Sequence, residues 1–132
     1  MPTKAPSHRT ERVGQEIRRE LASMLARGEI KQHGLDGTVV TAVIVTGDLS
    51  IARVCVRTLA TGVSPEAQHA VVKALANAHG WVRKTLGDRL RLRRVPSLRF
   101  EWDHSVDRGR RIEELLHEIE NEPEPKPEPD GS

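Results

Sequence analysis

The chain has 132 residues, a formal net charge of +2, 30% charged side chains and a single cysteine. That length fits one domain with a modest core. Lone Cys55 excludes an internal disulfide and a cysteine-based zinc site, and no apolar run suits a signal peptide or a membrane span, so a soluble cytoplasmic protein is expected.

Residues 1–9 combine two prolines with Lys4 and Arg9 and show no apolar period, which predicts a flexible basic arm. Val13, Ile17, Leu21, Met24 and Leu25 then recur at helical spacing and predict an amphipathic helix ending near Gly28. Two β-branched runs, Val39 to Thr46 and Ile51 to Leu59, are joined by Gly47-Asp48-Leu49-Ser50 and read as an antiparallel hairpin. In the second run Ala52, Val54 and Val56 alternate with Arg53 and Arg57, so one face packs and the other is wet and basic; Cys55 reads as a small buried hydrophobe.

Ser64-Pro65-Glu66 is a helix start: a side-chain acceptor at the N-cap, a preset φ at the first helical position and an acid at the positive end of the dipole. Ala67, Val71, Leu75 and Ala78 mark its buried face. Gly80 interrupts, and Trp81, Val82, Leu86 and Leu90 continue a helical period, which favours a core place for Trp81 over its other reading, stacking on a base. Pro96 ends that helix, after which Leu98, Phe100 and Trp102 alternate with charged residues as a third strand. Ile112, Leu115, Leu116 and Ile119 predict a short C-terminal helix, and the Pro/Glu-rich stretch 120–132 a disordered tail. The order is α-β-β-α-α-β plus one helix, in a domain spanning 10–119.

Charge is unevenly placed. The segment 120–132 carries a net −4, leaving +6 on the rest, and residues 81–99 alone hold Arg83, Lys84, Arg89, Arg91, Arg93, Arg94 and Arg99 against Asp88. Localised cations suit a polyanion, whose displaced counterions drive association. An arginine run is also a common way to keep a helix end solvated. Gly80 has two readings as well: an ordinary helix C-cap, or a bend that aims the N–H groups of the next helix at an anion beside Arg83 and Lys84.

Two helices meeting at a glycine suggest a helix-turn-helix, but a winged variant normally places its helix pair before the hairpin, and here the hairpin comes first. The order matches the type II KH-like RNA-binding domain, an α+β module. Such a module carries Gly-x-x-Gly between its helices; the one match in this chain, Gly34-Leu35-Asp36-Gly37, lies elsewhere, carries an acid and reads as a turn. Asp103-His104-Ser105 has triad residue types, but consecutive residues point apart, and no other catalytic constellation occurs.

Ala78-His79-Gly80 resembles the Ala-x-Gly kink that replaces the usual loop in the ribosome-binding factor A family. "RVGQEIRRELASML", "VTGDLSIARVCV" and "GWVRKTLGDRLRLRRVPSLRFEWDHS" agree with that family in order and spacing, from about Arg12 to Leu116. The resemblance implies a non-enzymatic assembly factor that binds precursor 16S rRNA in the immature 30S ribosomal subunit, aiding late maturation and 5′-end processing, often in cold adaptation. It implies a kink at Ala78, His79 and Gly80 and an RNA-binding surface of Arg83, Lys84, Arg89, Arg91, Arg93 and Arg94. No cofactor or metal is expected, and a ribosome-maturation GTPase is a further candidate partner of a monomeric protein. The alternatives are a winged-helix DNA-binding protein and a protein-interaction module insensitive to salt. The arginine-rich first helix and the Pro/Glu tail depart from the family pattern.

Overall fold

The computed structural model describes residues 8–121. Its elements are α1 (His8–Ala26), β1 (Thr38–Val45), β2 (Ile51–Thr58), α2 (Pro65–Asn77), α3 (His79–Leu90), β3 (Ser97–Trp102) and α4 (Ser105–Asn121). This is the expected α+β order with its appended helix. The outer helices reach slightly further than expected: α1 takes in His8 and Arg9, and α4 takes in Glu120 and Asn121. The rest of the predicted arm and tail lies outside the described residues.

The three strands form one sheet in the order β1-β2-β3, with β1 antiparallel and β3 parallel to the central β2. The parallel pairing needs a crossover, and α2 and α3 provide it. The register pairs Val40, Val56 and Trp102 across one row and Val43, Val54 and Phe100 across another, so one face of the sheet is apolar except at its Thr38–Thr58 end. Between those rows Thr41 forms a bulge in β1, and its hydroxyl donates to the Cys55 carbonyl at 3.2 Å.

Helices cover the apolar face: α1 packs on β1, α2 on β3, and α3 against α1, α2 and β3. Ile17, Leu21, Met24, Ala52, Val54, Val56, Leu75, Val82 and Leu86 are at most 1% exposed. Each large aliphatic among them contributes about 1.5–3 kcal/mol of burial. The opposite face is open, and there Arg53 donates from Nε (2.7 Å) and Nη2 (3.4 Å) to the Glu101 carboxylate. Cys55 lies on that open side and is only half-buried, not the buried hydrophobe expected, because the alternation of β2 puts it on the face of Arg53; desolvation still pushes its thiol pKa up.

One expectation about an apolar stripe fails. Trp81 is 47% exposed, while Val82 beside it is fully buried. The inward line of α3 runs through Val82 and Leu86, four residues apart, and Trp81 stands one residue, about 100°, off that line. In α4, Ile112, Leu115, Leu116 and Ile119 remain 50–63% exposed, because the helix leaves the domain at the end of β3 instead of folding back on it.

Candidate nucleic-acid interface

The site is built around the α2–α3 junction. Ser64 caps α2 as its spacing predicts, accepting the Ala67 N–H at 3.2 Å, with Pro65 opening the helix. At the other end the break falls on Ala78, not on Gly80. The Ala78 N–H reaches the Ala74 carbonyl at 3.3 Å and the Leu75 carbonyl at 3.1 Å, which tightens the last turn, and its backbone sits at φ −90°, ψ 1°. The Ala78 carbonyl then accepts from Val82 N–H at 2.9 Å and starts α3. Ala78 is 8% exposed, so the corner needs a side chain small enough to fit inside it.

Gly80 therefore lies in the first turn of α3. It is exposed, its φ is not positive, and a Cβ built on it would meet nothing within 4 Å. Neither the bend nor internal packing requires glycine there. No side chain caps the α3 N-terminus, so the outer surface at Gly80 is bare backbone. His79 is half-buried, and its Nε2 accepts the Leu98 N–H at 3.2 Å, tying the start of α3 to β3.

From there α3 runs to Arg91, whose φ of 52° and ψ of 40° place it in the left-handed conformation that ends the helix. The loop 91–96 turns back along α3. Gly87 permits this approach: a Cβ at that position would stand 2.9 Å from the Val95 side chain. Arg83 completes the closure by donating from Nε at 3.2 Å and from Nη2 at 2.8 Å to the Val95 carbonyl. His79, Gly80, Arg83, Lys84, Leu92 and Val95 line the resulting groove of about 470 Å³.

Arg91, Arg93 and Arg94 are exposed on that loop, and Arg83 and Lys84 are exposed on α3. Among the described residues, ion pairs reach Arg27, Arg53 and Arg89, and none reaches Lys84, Arg91, Arg93 or Arg94. Arg89 differs from its neighbours. Its Nη1 donates to Glu20 in α1 at 2.9 Å and to Glu29 in the following loop at 2.7 Å, and these carboxylates raise its pKa. A guanidinium between two carboxylates is a tether for α3 before it is a free cation. Neither acid is signalled by the local sequence around Arg89. Gly34 and Gly37, at φ 83° and 74°, form the plain turn expected of them.

The arrangement offers free cations on a helix and on the loop braced against it, next to an uncapped helix start. Such a surface binds phosphate oxygens by charge-assisted hydrogen bonds. A family model described as Ribosome-binding factor A matches residues 9–116. The chain is 45% identical over 118 residues to the ribosome-binding factor A of Gloeobacter violaceus, covering 88% of this chain and 89% of that one. The crystal structure of ribosome-binding factor A from Thermus thermophilus superposes with a TM-score of 0.55 at 25% identity, over 70% of this chain and 93% of that one. A homology model of the Thermus thermophilus ribosome-binding factor A, fitted into a cryo-EM map of its complex with the 30S subunit, gives a TM-score of 0.50 at 25% identity, over 67% and 93%.

Proposed function

The chain belongs to the ribosome-binding factor A family, and from that membership we propose that it is a 30S assembly factor in the cytoplasm. It binds precursor 16S rRNA on the immature small subunit and favours one RNA conformation during late maturation and 5′-end processing. It acts by binding, as a monomer and without catalysis. A ribosome-maturation GTPase is the natural agent of its release.

One observation carries this reading: Lys84, Arg91, Arg93 and Arg94 stand exposed on α3 and the loop clipped to it, and none of them forms an ion pair among the described residues. A braced backbone spares the cost of ordering the loop, and cations with no internal partner give up no ion pair on meeting phosphates. We assign the phosphate contacts to Arg83, Lys84, Arg91, Arg93 and Arg94, with Ala78, His79 and Gly80 shaping the corner they flank. Arg89 supports the surface by holding α3 to α1.

The test is the triple reversal Arg91→Glu, Arg93→Glu and Arg94→Glu. It should abolish cosedimentation with immature small subunits while shifting the melting temperature little. Binding of the native chain should weaken with salt, the slope of log K against log salt falling by about 0.7 for each phosphate contact removed. A triple variant that still cosediments in high salt would show that the RNA lies elsewhere.

A further inference from the structure

A second groove, of about 410 Å³, opens at the kink, lined by Glu29, Lys31, Gln32, Asn77, Ala78 and Trp81. We propose that this groove is a subsite for one unpaired nucleobase, stacked on the Trp81 indole, of an RNA strand whose backbone passes Lys84. The inference rests on the RNA-binding reading above and adds to it a base-recognising position.

Trp81 is the largest side chain of α3 and is 47% exposed while lining a groove, so a flat apolar surface is offered to a ligand. Its backbone is held in the helix, and its carbonyl accepts the Thr85 hydroxyl at 2.7 Å. The two amides in the walls, Gln32 and Asn77, each carry a donor and an acceptor, the pairing that a base edge presents. Asn77 and Trp81 are four residues apart across the kink, and the loop bearing Gln32 is fixed by the Gln32 N–H donating to the Ile30 carbonyl at 3.0 Å.

Charge selects the occupant. Glu29 is already engaged by Arg89 at 2.7 Å, which leaves Lys31 as the uncompensated charge of the groove. Lys84 lies three residues beyond Trp81, on the neighbouring position of the helix surface, and also lines the groove closed by Arg83 and Val95. A ligand spanning both must be anionic along its backbone and flat and apolar in its appended group. A single-stranded polynucleotide has that composition, and base–aromatic stacking tolerates any base.

The experiment uses the full chain labelled with 5-fluorotryptophan, so that Trp81 and Trp102 give separate fluorine resonances, assigned with Trp81→Phe. The probes are a short single-stranded RNA and an abasic strand of equal length and charge. The base-bearing RNA should shift the Trp81 resonance and the abasic strand should not. Trp81→Ala should bind the base-bearing RNA about 5- to 150-fold more weakly and the abasic strand unchanged, while Trp81→Phe keeps most of the affinity. Thermal melts of both variants check that folding is intact.

Equal affinity of the native chain and Trp81→Ala for the base-bearing RNA overturns the subsite and leaves the phosphate surface standing. Failure of the native chain to bind either strand overturns the RNA reading itself. Loss of subunit binding by Trp81→Ala with unchanged affinity for the base-bearing strand assigns the groove to a protein partner and also overturns the subsite.

Discussion

Arg83 directs two of its donors to a single oxygen, the carbonyl of Val95, and so clips the loop 91–96 to the helix that precedes it. A residue placed by its charge among the RNA ligands is therefore also the brace for three others. Arg83→Lys keeps the charge and loses the fork. It should melt at a lower temperature, by the equivalent of about 1 kcal/mol. Its RNA affinity should fall while the salt dependence is preserved, which thermal melts and titrations at several salt concentrations would check.

Arg91 holds a left-handed backbone, at a cost of about 1 kcal/mol for a residue with a Cβ. Arg91→Gly should relieve that strain and raise stability, while Arg91→Ala should not. Both should lose the same RNA affinity, because both remove the same cation. Paired melting curves and binding isotherms separate the two effects; equal stability of the two variants would remove the strain argument.

Gly80→Ala should fold at least as well as the native chain. The added methyl meets nothing inside the protein, and alanine is favoured over glycine in a helix by up to about 1 kcal/mol. Affinity for immature subunits should nevertheless drop, because the methyl occupies the bare surface at the start of α3. A variant more stable and equally tight in cosedimentation would show that the RNA stays away from that turn.

The hairpin turn carries a pH signature. Asp48 accepts from the Ser50 hydroxyl at 2.7 Å, the Thr46 hydroxyl at 2.8 Å and the Ser50 N–H at 3.1 Å, which lower its pKa from 3.8 to about 2. A depressed carboxylate pKa stabilises the fold above the unfolded value, and that contribution is lost as pH falls from about 4 through about 2. Asp48→Asn should therefore melt below the native chain at neutral pH, and the gap should close near pH 2.

Much of this fold can be read from periodicity, because its elements bury one face each. Ile17, Leu21 and Met24 in α1, and Ala52, Val54 and Val56 in β2, lie where spacing places them. The site is less legible. A helical period cannot decide which of two adjacent apolar residues turns inward, so it places Trp81 in the core that Val82 occupies. Arg89 looks equivalent to Arg91 and Arg93 because its acids, Glu20 and Glu29, are brought to it only by the tertiary fold. Gly80 draws attention as a backbone breaker, yet the corner depends on the smallness of buried Ala78.

The parallel seam between β2 and β3 sets the moment at which the arginine loop comes into being. β1 and β2 meet across a short turn, but Leu98 must find Ala52 over the whole intervening helix pair. Distant pairings close late, and a ribosome delivers the N-terminal elements first. A chain that ends before β3 thus keeps α1 and the hairpin but lacks the strand against which the arginine loop is anchored.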